Sequence, residues 1–110
     1  MKLQDCRPAR PVSILEMHGT DDGRVAYEGG ASAINRWVTL DGCAGNPIQS
    51  VSGITKTSIW NGCLGGTVVR FDTVVGGHHT WFGSAYDPVP GEPSSNAVVW
   101  GFFNNLAPRA

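Results

Sequence analysis

Charged residues are scarce in this chain, making up 15% of its 110 residues and leaving a formal net charge of −1. No run of lysine and arginine occurs, and because binding to phosphates needs clustered basic side chains, we expect no nucleic-acid partner. No apolar run approaches the ~20 residues that a membrane helix needs, so we expect no membrane partner. The first residues, MKLQDCRPARP, contain no apolar core of the kind that signal peptides have, so we expect no signal peptide in this chain.

Cysteine is also scarce, with three in the chain. Cys43 and Cys63 lie in similar settings, DGCAGNP and WNGCLGG, each just past a periodic segment. A bridge between them would close a loop of about 20 residues, contribute about 3 kcal/mol, and indicate an oxidising compartment. Two buried thiols are the alternative. Cys6 is left without a partner by this pairing, and the cysteine spacings fit no zinc template.

In the first half of the chain, hydrophobic periodicity predicts a strand and then a helix. Residues 11–19, PVSILEMHG, form a short apolar run with the length and composition of a buried strand. After a turn, Ile34, Trp37 and Val38 follow helical spacing, and the glycine at position 42 is suited to a helix end. These features predict a helix over residues 31–41.

In the second half, residues 46–62 are polar and β-branched, which suits one or two exposed strands or a hairpin broken at Gly53. Residues 66–77 alternate well, with Val69, Phe71 and Thr73 on one face, and predict another strand. A long loop rich in glycine and proline follows. The last predicted helix is capped by Ser94 or Ser95 and ends before Pro108. Its apolar face consists of Val99, Phe102, Phe103 and Leu106.

Strands that alternate with helices predict an α/β sheet, and ligands of such sheets bind outside the carboxyl ends of the strands. Two polar clusters follow strands here: HGTDD after the first strand and GGHHTW after the last. An acid and a histidine placed at neighbouring strand ends can act as the orienting group and the base of a nucleophilic triad.

With these segments in view, the chain resembles the polyhydroxybutyrate depolymerase and feruloyl esterase family of α/β-hydrolases, the LpqC-like esterases. PVSILEMHGTDDGRVAYEGG is similar to the acid-bearing H-G-T-x-D segment of the family, and GGHHTWFG is similar to its G-G-G-H-x-W-P-G. RWVTLDGCAGNP and WNGCLGGTVVRFDTV resemble its W…GC…P and W…GC…GT-x-V segments, in the same order. The resemblance runs from about residue 6 to residue 106.

The resemblance implies that residues 1–110 are a single partial domain, the C-terminal portion of an α/β-hydrolase sheet with about three to four strands and two main helices. The catalytic acid of the family falls on Asp22 and its catalytic histidine on His79. The family's cysteine pair corresponds to a disulfide between Cys43 and Cys63. The chain departs from the pattern beside the histidine, where His78 replaces a glycine and a phenylalanine at position 82 replaces a proline, and beside the acid, where a glycine at position 23 stands where proline is common.

The nucleophile motif of α/β-hydrolases, G-x-S-x-G, is absent from these 110 residues. In the family, this motif and the oxyanion-hole segment precede the part that the chain resembles. We therefore expect the C-terminal fragment of a serine carboxylic-ester hydrolase, which is inactive without the missing N-terminal half and needs no cofactor. The implied substrates are hydroxycinnamoyl or acetyl esters of plant polysaccharide, or polyhydroxyalkanoate esters, and the implied location of the parent protein is extracellular or periplasmic.

Two other functions stay open at this point, a non-catalytic truncated or interaction module and a small metal-binding domain. A mixed nitrogen and oxygen metal site would need the three histidines to converge with Asp21 and Asp22, which nothing in the spacing requires. Trp81 is either a wall of the substrate pocket or part of the core. His18 is expected to hydrogen-bond the backbone of the acid loop, and His78 is expected to be a surface substitution. The other tryptophans are expected in the core, namely Trp37, Trp60 and Trp100.

Overall fold

The computed structural model describes residues 9–106, and Cys6 and Pro108 lie outside the described residues. Over this range the chain is a small α/β fold with a four-stranded mixed sheet and two α-helices. The elements are β1 (Ile14–Gly19), α1 (Tyr27–Leu40), β2 (Ile48–Ser52), β3 (Thr55–Trp60), β4 (Val69–Val74) and α2 (Ser95–Asn104), with a single 3₁₀ turn at Leu64–Gly66. The α/β class predicted from the alternation of periodic segments is confirmed.

The strands are ordered β1-β4-β3-β2, with β1 parallel to β4 and the other neighbours antiparallel. In the parallel pair, Ile14 lies opposite Val69 and Gly19 lies opposite Val74. The two strands therefore end side by side, and the segments that follow them leave the same edge of the sheet. This confirms the expected convergence of HGTDD and GGHHTW.

The predicted hairpin is formed by β2 and β3, which turn at Gly53 with a φ of 58°. This backbone conformation is accessible to glycine at low cost, which explains why the break falls there. The exposed side chains of β2 include the apolar Ile48 and Val51, whereas Thr55 and Ser58 of β3 are buried. Of the two strands, β2 matches the expectation of an exposed strand and β3 matches it in part.

The core lies between α1 and the centre of the sheet, where Ile34, Val69 and Phe71 pack together. The opposite face of β4 is buried too, with Asp72 and Val74 fully buried. There the fully buried carboxylate of Asp72 accepts two hydrogen bonds from the Arg70 side chain, at 2.8 and 2.9 Å. A charged pair two residues apart on this strand is thus held inside the fold by a two-point contact.

The helix α1 begins at Tyr27, four residues before the start predicted from periodicity, and it ends one residue earlier, at Leu40. Consecutive glycines near its start lower helix propensity and obscure this boundary in the sequence. Its end follows the prediction, since Gly42 has a φ of 62° and its amide donates to the carbonyl of Thr39 at 3.1 Å. A positive φ directly after a helix is the usual place for glycine.

The closing helix α2 is capped as expected, because the Ser94 hydroxyl accepts a hydrogen bond from the Ala97 amide at 3.3 Å. Its predicted stripe is only partly buried, with Phe102 inside and Phe103 53% exposed. The prediction that Trp100 belongs to the core was wrong, since its side chain is 72% exposed. Two helical positions separate Trp100 from Phe102, which turns it to the opposite face of the helix.

The remaining core tryptophans, Trp37 and Trp60, are partly buried against the central cluster, as expected. Beside them Cys43 and Cys63 form a disulfide, which confirms the predicted bridge. It joins the segment after α1 to the segment after β3. None of the described helices is long and apolar enough to cross a membrane.

Candidate acid–base site

The two loops that leave the parallel strands are hydrogen-bonded to each other through their backbones. The amide of Thr20 donates to the carbonyl of Val74 at 3.0 Å, and the amide of Asp21 donates to the carbonyl of Gly77 at 3.0 Å. The approach is so close that a Cβ on Gly19 would overlap the Gly77 carbonyl. Glycine at position 19 therefore lets the acid loop and the histidine loop touch.

Asp22 lies in the first of these loops with its side chain 6% exposed. Its Oδ1 accepts hydrogen bonds from the backbone amides of Arg24 and Val25, at 2.9 and 2.8 Å. Burial favours the neutral carboxyl, but these two amides and the His79 ring outweigh it and lower the pKa of Asp22 to about 2. Asp22 is therefore a fixed carboxylate at neutral pH.

His79 lies in the second loop, and its Nδ1 is 2.9 Å from Oδ2 of Asp22. An ionised carboxylate only accepts hydrogen bonds, so Nδ1 carries the proton and donates. The His79 side chain is half exposed, and no hydrogen bond between described residues engages its Nε2. The sequence-predicted pair is thus brought together, with Nε2 as the ring nitrogen that can exchange a proton.

His18 ends β1 and lies behind Asp22, with its side chain 6% exposed. Its Nε2 is 2.8 Å from the carbonyl oxygen of Val25, which confirms the expected contact with the backbone of the acid loop. Its Nδ1 is 3.2 Å from Oε1 of Glu16, a residue that the sequence analysis did not single out. A glutamate in the otherwise apolar stretch ILEMH was the available signal.

Asp21 and His78, which directly precede Asp22 and His79 in the chain, form a second, looser cluster. His78 Nε2 is 3.7 Å from Oδ2 of Asp21, whose side chain is 77% exposed. On the other side of the ring, Nδ1 lies 3.0 Å from the carbonyl oxygen of Asp87. This backbone acceptor, together with the carboxylates of Asp87, Asp21 and Glu92, raises the pKa of His78 against the effect of partial burial. The cluster lies at the surface of the site.

A pocket of about 500 Å³ opens over the pair and is lined by Asp22 and His79 together with side chains of both loops. Trp81 is part of its wall and is 55% exposed, so the pocket-wall alternative fits this residue better than the core alternative. The indole Nε1 donates to Oδ1 of Asn96 on α2 at 2.9 Å, which fixes the ring plane. Phe82 is 2% exposed and also lines this pocket.

Within residues 9–106 there is no group of three or more histidine, cysteine, aspartate or glutamate side chains that could hold a metal ion. The contacts of the histidines give the reason. His79 directs Nδ1 at the carboxylate of Asp22, whereas Nε2 of His18 is hydrogen-bonded to the Val25 carbonyl and lies 3.4 Å from that carboxylate. His78 faces Asp21 and Asp87. The metal-binding alternative therefore has no ligand set among the described residues.

Comparison with known proteins relates this chain to an esterase. Feruloyl esterase B of Piromyces equi is 34% identical to this chain in an alignment of 89 residues, and the alignment covers 67% of the chain and 16% of that esterase. No protein-family model matches the chain. The chain thus has an esterase-like relationship, and it spans about a sixth of the length of the relative it matches.

Proposed function

We propose that this chain supplies the acid and the base of a Ser-His-Asp triad in a serine carboxylic-ester hydrolase of the polyhydroxybutyrate depolymerase and feruloyl esterase family, with an α/β-hydrolase fold. The observation that carries the proposal is the 2.9 Å contact between Nδ1 of His79 and Oδ2 of Asp22. It lies where β1 and β4 end side by side, which is the edge where α/β folds bind their ligands.

In the proposed reaction, Nε2 of His79 removes the proton of a serine hydroxyl while the serine oxygen attacks the ester carbonyl. The resulting imidazolium then protonates the leaving alcohol, and an acyl-enzyme forms. Water, deprotonated by the same nitrogen, releases the acid and restores the serine. Asp22 orients the ring and stabilises its cationic form throughout. The low pKa of Asp22 keeps this carboxylate ionised at neutral pH.

The serine has to come from outside these 110 residues, because they contain no G-x-S-x-G. We propose that a further part of the domain, outside these residues, supplies both the serine and the oxyanion hole. Removal of a single oxyanion donor costs on the order of 3 kcal/mol in transition-state stabilisation. The chain alone is therefore expected to hydrolyse p-nitrophenyl acetate no faster than buffer containing free imidazole.

The pocket supports an ester whose acyl or alcohol part is planar or ring-shaped, since the fixed and half-exposed Trp81 offers it a flat apolar face. Hydroxycinnamoyl esters have a planar ring in the acyl part and acetylated polysaccharides have sugar rings in the alcohol part, whereas polyhydroxyalkanoate esters are aliphatic chains with no ring to place on this face. The proposed reaction uses no cofactor. The disulfide supports an extracellular or periplasmic location for the parent protein.

The proposal is tested by grafting the matched residues of this chain into Feruloyl esterase B of Piromyces equi, in place of the corresponding stretch. Hydrolysis of methyl ferulate and of p-nitrophenyl acetate is then measured. We expect the graft to turn over both esters and to lose turnover when His79 is replaced by alanine. A folded graft whose activity survives His79→Ala would overturn the proposal.

One observation favours the interaction-module alternative. On α2, Trp100 and Phe103 are 72% and 53% exposed, which is unusual for large apolar side chains. This alternative predicts a graft that folds and binds but does not hydrolyse either ester. Loss of partner binding on Trp100→Ser, with no change at the Asp22 and His79 pair, would then support it.

A further inference from the structure

The reaction proposed above uses Asp22 and His79 but gives no role to the charged side chains behind them. Glu16 and His18 lie on β1, and His18 is among the buried polar residues of the described chain. The Nε2 of His18 is 2.8 Å from the carbonyl oxygen of Val25 and 3.4 Å from Oδ2 of Asp22. Its Nδ1 is 3.2 Å from Oε1 of Glu16. All three of these polar contacts of the ring are to oxygen atoms.

The identity of these oxygens decides where the protons of His18 are. A backbone carbonyl only accepts, so Nε2 must carry a hydrogen. A carboxylate oxygen such as Oε1 of Glu16 also only accepts, so the contacts of the ring favour the form of His18 that has a hydrogen on each nitrogen. Burial works against the charge of this form, but the Val25 carbonyl, Glu16 and Asp22 outweigh it and raise the pKa of His18.

The space around the ring fits this arrangement. A Cβ on Gly30 of α1 would overlap Nδ1 of His18 and would lie 3.1 Å from Oε1 of Glu16. The helix can pack over the pair because position 30 has no side chain. Tyr27 is the titratable residue of α1 that faces His18, and the two rings pack edge-on with their centroids 5.9 Å apart. The Tyr27 hydroxyl group is hydrogen-bonded to Oγ1 of Thr73 at 2.6 Å.

We propose that Glu16 and His18 form a positioning pair, in which the two-proton His18 ring, held by Glu16, fixes Oδ2 of Asp22 toward His79. The inference rests on the proposed function for its catalytic meaning. The structural part does not depend on hydrolysis. Asp22 lies between two imidazole rings, and its other oxygen is held by the Arg24 and Val25 amides. His18 also holds the Val25 carbonyl, so it supports the loop and the carboxylate together.

The first test uses the chain itself, labelled with ¹⁵N, and two readouts by NMR. These are the hydrogen-exchange rates of the Arg24 and Val25 amides and the low-field Nδ1 proton of His79. His18→Leu keeps an apolar side chain in the space but removes both donors. His18→Gln keeps a donor near the position of Nε2.

We expect His18→Leu to accelerate exchange of both amides by about tenfold or more and to broaden the His79 proton beyond detection, because a charge-assisted contact is lost. His18→Gln should stay within about threefold of the parent. If His18 only fills space, the leucine variant will keep slow exchange and a sharp His79 proton, and the proposal is overturned.

A second variant covers the case in which His18→Leu does not fold. Glu16→Gln preserves shape and removes the charge, so the measured pKa of His18 should fall. The matched control is Glu28→Gln, an exposed position in the first turn of α1, which should leave it unchanged. Equal values in both variants would contradict the pairing.

The effect of the pair on catalysis is measured in the ester-hydrolysing graft, where His18→Leu should lower kcat with little change in KM. If the graft is active and loses its activity with His79→Ala but not with His18→Leu, the positioning role is wrong and the proposed function stands. If the graft shows no His79-dependent activity, the proposed function fails, whereas the exchange measurements still decide the pairing.

Discussion

Two aspartate–histidine pairs lie side by side in this molecule, and they have the same chemical parts. Asp22 and His79 meet at 2.9 Å, whereas Asp21 and His78 are 3.7 Å apart at their closest ion-pair contact. The side chain of Asp22 is 6% exposed and that of Asp21 is 77% exposed. The acid, more than the histidine, distinguishes the two pairs.

The difference shows what turns an ion pair into an orienting contact. An exposed carboxylate is solvated, mobile and screened, so its contact with a histidine fixes little. Asp22 has lost most of its water, and two backbone amides hold one oxygen while the other oxygen faces His79. Only this pair can hold a ring in one tautomer and one orientation.

The largest expected effect separates the two histidines. In the ester-hydrolysing graft, His79→Ala should lower kcat by a factor on the order of 10⁶, as loss of the base does in serine hydrolases. His78→Ala should change it by about threefold or less, because this ring contacts exposed groups. Steady-state kinetics with p-nitrophenyl acetate measures both. Equal losses would mean that the pairs share the role.

The next effect separates the two acids. Asp22→Asn should lower kcat by a factor on the order of 10⁴, because an amide can stabilise the wrong tautomer of His79. Asp21→Asn should leave kcat within about twofold, given its exposed carboxylate. The same kinetic assay applies. A larger loss for the Asp21 variant would reverse the assignment of the acid.

A third prediction concerns the contact that brings both pairs to one edge. Gly19→Ala places a Cβ on the Gly77 carbonyl and should lower the free energy of unfolding by about 1–3 kcal/mol. Gly23→Ala, in the same loop with open space around it, should change it by less than about 0.5 kcal/mol. Urea unfolding followed by tryptophan fluorescence measures both. Similar values would show that the loops are not in tight contact.

The smallest expected effect is the dependence of stability on acid. The folded pKa of Asp22, about 2, is below the ordinary value of 3.8 for an aspartate. Its contribution to stability is therefore fully present above about pH 4 and is lost as pH falls through about 2. Between these pH values, the free energy of unfolding should depend less steeply on pH for Asp22→Asn than for Asp21→Asn. An unchanged acid dependence in the Asp22 variant would contradict the low pKa.

Chain order predicts that an acid and a histidine meet at this edge of the sheet, whereas the choice of Asp22 over Asp21 and of His79 over His78 came from the family resemblance. An acid and a histidine that each follow a strand must meet if the strands are parallel neighbours, and β1 and β4 are. Periodicity likewise predicted the strands, and the paired glycine-flanked settings of Cys43 and Cys63 predicted the disulfide.

The parts that sequence reasoning missed depend on packing between distant elements. The closeness of Glu16 to His18 follows from the strand, but the cover over them comes from Gly30 on α1, which periodicity does not report. The exposure of Trp100 follows from how α2 rests on the sheet, where one helix face is in contact and the other is not. Composition alone favours a buried tryptophan and cannot choose the face.

The most direct measurement is the imidazole ¹⁵N spectrum of the three histidines of the folded chain, recorded for the parent and for Asp22→Asn and Asp21→Asn. We expect His79 to carry a proton on Nδ1 that is donated to Oδ2 of Asp22. That state should be lost in Asp22→Asn and kept in Asp21→Asn, because only Asp22 accepts from Nδ1. A His79 that carries its proton on Nε2 in the parent, or that responds equally to both substitutions, would contradict the acid–base role assigned to this pair.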